Sequence, residues 1–169
     1  MATRQDIKTG DMLIWSKDSR SLLSNLFLKL IRLATMSEYA HVGTALWLEG
    51  RLYVVEATIP MVRLAPIRDD EEFYFISMDV NWNRQAEDFL LDKVGLFYSI
   101  LDSIRAQFGI TTARDDKWQC VEISNYLYKE LGIDLGDVFT PSKIVEAALD
   151  LPGKRMVKVR PLIRLPLTA

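Results

Sequence analysis

His41-Val42-Gly43-Thr44-Ala45-Leu46-Trp47-Leu48, then Glu49-Gly50, then Arg51-Leu52-Tyr53-Val54-Val55-Glu56-Ala57 is the stretch whose reading decides the fold. Two runs rich in β-branched and aromatic residues flank a dipeptide ending in glycine, the pattern of a β-hairpin. A two-residue turn at Glu49-Gly50 sets the register, with Gly43 opposite Glu56 and His41 opposite Thr58. His41 and Glu56 then share one face as diagonal neighbours, their Cβ atoms about 7 Å apart or somewhat less. A turn moved to Gly50-Arg51 keeps them on one face, whereas a three-residue loop without a bulge separates them. A carboxylate beside an imidazole holds its tautomer and stabilises the imidazolium, which is what a catalytic base needs. The competing reading is a His and a Glu on an edge strand facing solvent.

Outward from the hairpin, the chain has the profile of an ordinary globular protein. Its 169 residues are 49% hydrophobic and 26% charged, with a formal net charge of -2, enough for one domain over residues 1–169 with a core of its own. No field for a polyanion is implied, so no nucleic-acid partner is expected. The basic segment Gly153 to Arg160 alternates like an edge strand. A single cysteine excludes an internal disulfide, and with one histidine it cannot build a conventional zinc site; no cofactor is expected. The N-terminus lacks the order of a secretory signal, and no apolar run approaches the length of a membrane span. Cytoplasm is the expected compartment, with a virion or phage particle as the alternative.

Upstream, Thr9-Gly10-Asp11 reads as a turn into a buried strand, Met12-Leu13-Ile14-Trp15. Ser21 to Ala34 has helical spacing with basic margins. It reads as a helix packed on its own domain, or as one that touches a membrane or an acyl chain. Downstream, Met61 to Ala65 is extended between Pro60 and Pro66, a charged turn spans Arg68 to Glu72, and Phe73 to Met78 is β-rich. A helical pattern begins at Asn83 with Ala86, Phe89, Leu90 and Lys93 on one face. After Gly95 it resumes from Leu96 to Phe108 with Phe97, Ile100, Leu101 and Ile104. Thr140-Pro141 opens a short helix to Leu149.

The only cysteine lies in Lys117-Trp118-Gln119-Cys120-Val121-Glu122. It opens a helix capped by Asp115 or Asp116, with Ile123, Leu127 and Leu131 inward and a stop at Gly132. Backbone N–H groups and the positive end of the dipole stabilise a thiolate at such a position. The bland alternative is a buried packing cysteine.

Several short elements resemble the permuted NlpC-like branch of the papain-like cysteine hydrolases, which includes YiiX-like amidases or peptidases and is related to lecithin:retinol acyltransferase-like proteins. Gly10-Asp11-Met12-Leu13 is similar to its opening. Ser37-Glu38-Tyr39-Ala40-His41-Val42-Gly43 matches its polar residue before His-Val-Gly, and Val55-Glu56-Ala57 its Val-Glu-Ala strand. Gly95-Leu96-Phe97-Tyr98-Ser99, Trp118-Gln119-Cys120-Val121-Glu122 and Thr140-Pro141-Ser142 follow in the family's order. Val121 stands where the family has Ser, and Ser99 where it has Asp; both departures concern the substrate pocket.

The resemblance implies an α+β fold, a small antiparallel β-barrel or sheet packed against helices with the nucleophile at a helix N-terminus. Carried over, Cys120 is the nucleophile, His41 the general base and then acid, and Glu56 the orienting residue, with the Cys120 N–H contributing to an oxyanion hole. The implied activity is cleavage of amide bonds, peptidoglycan stem peptides among them, through a thioester. Two alternatives stay open: a lipid-directed acyltransferase or lipase with peripheral membrane contact, and a catalytically silent binding or assembly module. Oligomeric state is not legible.

Overall fold

A strand that is apolar at every position, as Met12-Leu13-Ile14-Trp15 is, has to be covered on both faces. The computed structural model, which describes residues 2–16, 39–58, 60–97 and 119–161, places it there. The strands are β1 (Met12–Ser16), β2 (Tyr39–Leu48), β3 (Arg51–Ala57), β4 (Val62–Pro66), β5 (Phe73–Ile76) and β6 (Met156–Val159). They form a single antiparallel sheet in the order β4-β3-β2-β1-β5-β6. The helices are α1 (Arg84–Lys93), α2 (Cys120–Glu130) and α3 (Pro141–Asp150). The expected α+β class and antiparallel sheet packed on helices are therefore present. The segments Ser21 to Ala34 and Tyr98 to Phe108 lie outside the described residues, as do Asp115 and Asp116.

The β2–β3 hairpin has the expected register, with Leu48 paired to Arg51 and Thr44 to Val55. Glu49 and Gly50 both take positive φ, 48° and 75°, as a type I′ turn requires and as the twist of the strands favours.

Alternation along the strands divides the core. Met12, Ile14, Val42, Leu46, Val55, Ala57 and Ile76 face the helices, meeting Leu90 of α1, Ile123, Leu127 and Tyr128 of α2, and Ile144 and Ala148 of α3. Leu13, Trp15, Ala45, Leu52, Val54, Phe73 and Phe75 form a second cluster on the other face with Ile7 and Val159. α2 lies over β2 and β3 with α1 and α3 against it. Phe89 of α1 stacks on Tyr126 of α2, ring centroids 5.0 Å apart.

Gly10-Asp11, met in the sequence as a family-like opening, has a structural task. Gly10 takes φ +92°, and a Cβ there would stand 2.4 Å from Val80 Cγ2. Its carbonyl accepts the Tyr128 hydroxyl at 3.2 Å, which ties α2 to the start of β1. The buried Asp11 carboxylate accepts N–H groups from Lys8 and Met78 and the Ser77 hydroxyl. Burial raises its pKa despite those bonds.

Two expectations are corrected. Leu96 and Phe97 do not begin a helix: Phe97 makes an antiparallel bridge to Met61, and Leu96 O accepts Val62 N–H at 2.8 Å. The outer edge of β4 takes up the chain through hydrogen bonds that a helix would forgo, leaving Phe97 65% exposed rather than in the core. The cap of α2 is Gln119 rather than an aspartate; its N–H donates to Glu122 Oε2 at 2.9 Å, so the helix closes its own first turn. The basic segment does form an edge strand, and Lys154 and Lys158 are paired with Asp79 and Glu72.

Candidate active site

Cys120 is the first residue of α2. At that position the N–H groups of Cys120 and Val121 have no intrahelical acceptor. Tyr128, two turns on, is pinned to Gly10, and the inner face Ile123, Leu127 and Tyr128 sits on the sheet, so the N-terminus of the helix is held in place. His41 lies near the start of β2, paired across to Trp15 of β1, their rings 5.6 Å apart. Its ring lies close to Cys120, whose sulfur raises the imidazole pKa. His41 Nε2 meets Glu56 Oε2 at 2.6 Å.

The structure thus brings together Cys120, His41 and Glu56, three residues spread over β2, β3 and α2. All three are buried. The solvent-facing edge-strand reading of His41 and Glu56 is overturned, because β2 and β3 are inner strands of the sheet.

Burial works against charge on both groups, yet both are charged. For His41, burial alone pulls the pKa down. The Glu56 charge, the Cys120 sulfur as acceptor for the ring, and the Glu56 hydrogen bond together outweigh it and hold the ring up at about 10. For Glu56, burial alone pushes up; the charge and hydrogen bond of His41, then those of Arg63, hold it down at about 2. At neutral pH the pair is an imidazolium and a carboxylate, and opposite charges this close stabilise each other's ionised form.

Gly43 makes the diagonal contact feasible. It faces Glu56 across the hairpin, and a Cβ there would stand 3.3 Å from Glu56 Cβ, 3.0 Å from the Val55 carbonyl and 2.5 Å from Val54 Cγ2. Gly43→Ala is therefore expected to cost about 1 to 3 kcal/mol as an overpacked site. It should also push Glu56 off His41. With a single histidine in the chain, NMR titration reads this directly: the imidazole pKa falls from about 10 toward 6.5. An unchanged titration would show that Gly43 does not govern the contact.

Arg63 is the residue that sequence reasoning missed. It pairs with Glu56 across β3 and β4, and its Nε and Nη2 reach Glu56 Oε1 at 2.7 and 2.6 Å. The signal was an opposite charge seven residues on from Glu56, usable only once β4 is known to pair with β3.

No family model matches the chain, and no curated protein does. Among solved structures the chain is similar to a metalloprotein, yiiX from Escherichia coli O157:H7, described as DUF1105. The two superpose with a TM-score of 0.61 at 18% sequence identity, over 89% of this chain and 96% of that one. The likeness is one of fold: the chain has a YiiX-like α+β architecture.

The residues of the site do not fit a metal. Among the described residues no group of three or more His, Cys, Asp or Glu side chains is placed to hold an ion. Both Glu56 oxygens are engaged, one by a guanidinium that repels a cation.

Proposed function

We propose that this chain is a cysteine-dependent hydrolase of the papain-like, circularly permuted NlpC type, acting on amide bonds. The observation that carries this reading is the juxtaposition of Cys120, at a helix N-terminus, with a buried His41 that is hydrogen-bonded to Glu56. A buried packing cysteine has no use for an imidazolium held by a buried carboxylate, and such a pair is costly to bury unless it serves something else.

In the proposed reaction Cys120 Sγ, as thiolate, attacks the substrate carbonyl carbon. The oxyanion that forms lies against the N–H groups at the start of α2. His41, already protonated, gives its proton to the leaving amine as the C–N bond breaks, and a thioester remains. Water then attacks the thioester with the neutral ring as base; the acid leaves, and thiolate and imidazolium are restored. Glu56 holds the ring throughout. The exposed apolar residues Met61 and Phe97, bridged to each other near Arg63, favour a second reading in which the acyl group comes from a lipid.

The test is a paired assay with Cys120→Ala as control. Appearance of new amines from peptidoglycan stem peptides, absent in the variant, supports the amidase reading. Fatty acid released only from phospholipid vesicles replaces it with the lipid reading. Activity on both substrates that survives Cys120→Ala would falsify the cysteine mechanism.

A further inference from the structure

We infer that Arg63 is a positioning residue for this site, acting on His41 and Cys120 through Glu56; the inference rests on the thiol–imidazole reading above. The Glu56 carboxylate is divided between two partners, Oε2 to His41 on β2 and Oε1 to Arg63 on β4. Glu56 itself is 7% exposed and the Arg63 side chain 58%. The guanidinium therefore lies on the solvent side of the carboxylate, where water would otherwise compete for Oε1.

An exposed ion pair is worth little as a rule, but here one partner is buried and two of the guanidinium nitrogens, Nε and Nη2, converge on one oxygen. With Oε1 held, rotation about the last side-chain bond of Glu56 is blocked, and Oε2 stays aimed at His41. The charged groups facing Glu56 among the described residues are His41 from β2 and Arg63 from β4, with Cys120 of α2 beyond His41. Arg63 is the only one of these that does not change charge in the accessible pH range. It keeps the carboxylate ionised as the medium is acidified, so the His41–Glu56 ion pair persists to lower pH. The hydrogen bond and ion pair of Arg63 go to Glu56 rather than to the sulfur or the ring, so its effect is on orientation and ionisation.

The experiment follows the rate of Cys120 alkylation by iodoacetamide against pH in the full chain, its Arg63→Gln, Arg63→Lys and His41→Ala variants, with thermal melts of each. Arg63→Gln is expected to slow alkylation about tenfold near neutrality, as loss of a charge-assisted hydrogen bond does. Its acid limb should move up by about one pH unit, the effect of removing an adjacent opposite charge. Arg63→Lys, which keeps the charge, should leave the limb in place. If Arg63→Gln superimposes on the parent profile while His41→Ala slows alkylation, the inference about Arg63 is wrong and the thiol–imidazole reading stands. If both arginine variants lower the melting temperature equally and neither moves the limb, Arg63 is an edge-strand packing residue. Should His41→Ala itself change nothing, the underlying reading falls instead.

Discussion

His41→Ala is expected to slow acylation of Cys120 by p-nitrophenyl acetate by roughly a hundred- to ten-thousand-fold, the range over which a positioned acid–base group acts. The ring is hydrogen-bonded to the Glu56 carboxylate and lies close to the sulfur. In the proposed mechanism the ring takes the thiol proton, and the variant removes that acceptor. The fold should survive, because His41 lies near an end of β2 and neither apolar cluster includes it. The measurement is the pre-steady-state release of p-nitrophenolate, with the adduct located on Cys120 by peptide mass. A rate within about threefold of the parent would leave no role for His41 in the acylation step.

Glu56→Gln should remove a pH dependence of stability that the buried pair creates. Glu56 is held down at about 2 from 4.5, so its contribution is complete above 4.5 and is lost as the pH falls toward 2. His41 is held up at about 10 from 6.5, so its contribution is complete below 6.5 and is lost as the pH rises toward 10. Both are fully present only between those two unfolded values. In that window the amide, which cannot carry the charge, is expected to cost about 2 kcal/mol, a fall of about 4 to 8 °C in melting temperature. Toward either extreme the two proteins should converge. Melting temperatures that differ by a constant amount across the whole range would mean that the pair is not ionised in the folded protein.

Some of this site was legible in the sequence, because it depends on short-range geometry. The turn at Glu49-Gly50 needs two positive φ angles and a glycine, and that alone puts His41 and Glu56 on one face. Helical spacing from Cys120 to Leu127 put the cysteine at a helix start, since three buried positions on one side leave few alternatives. Where the reading failed, a longer-range partner had intervened. Periodicity carried the helix past Gly95 to Phe97, but the unpaired edge of β4 offered hydrogen bonds that the pattern cannot register. Gly10-Asp11 had the outward form of a motif, and its task became clear only when Val80, Ser77, Met78 and Tyr128 were seen to converge on it.

What the sequence by itself determined about this protein is the hairpin register and the order of its candidate residues, both consequences of backbone stereochemistry over a few residues. What only the tertiary structure decided is that Cys120 meets His41, that Glu56 is buried and charged, and that Arg63 holds it. The reason is physical: contact between β2 and α2, and between β3 and β4, is set by apolar surfaces packing across the whole sheet, and proton affinities follow from the burial and the charges that this packing creates.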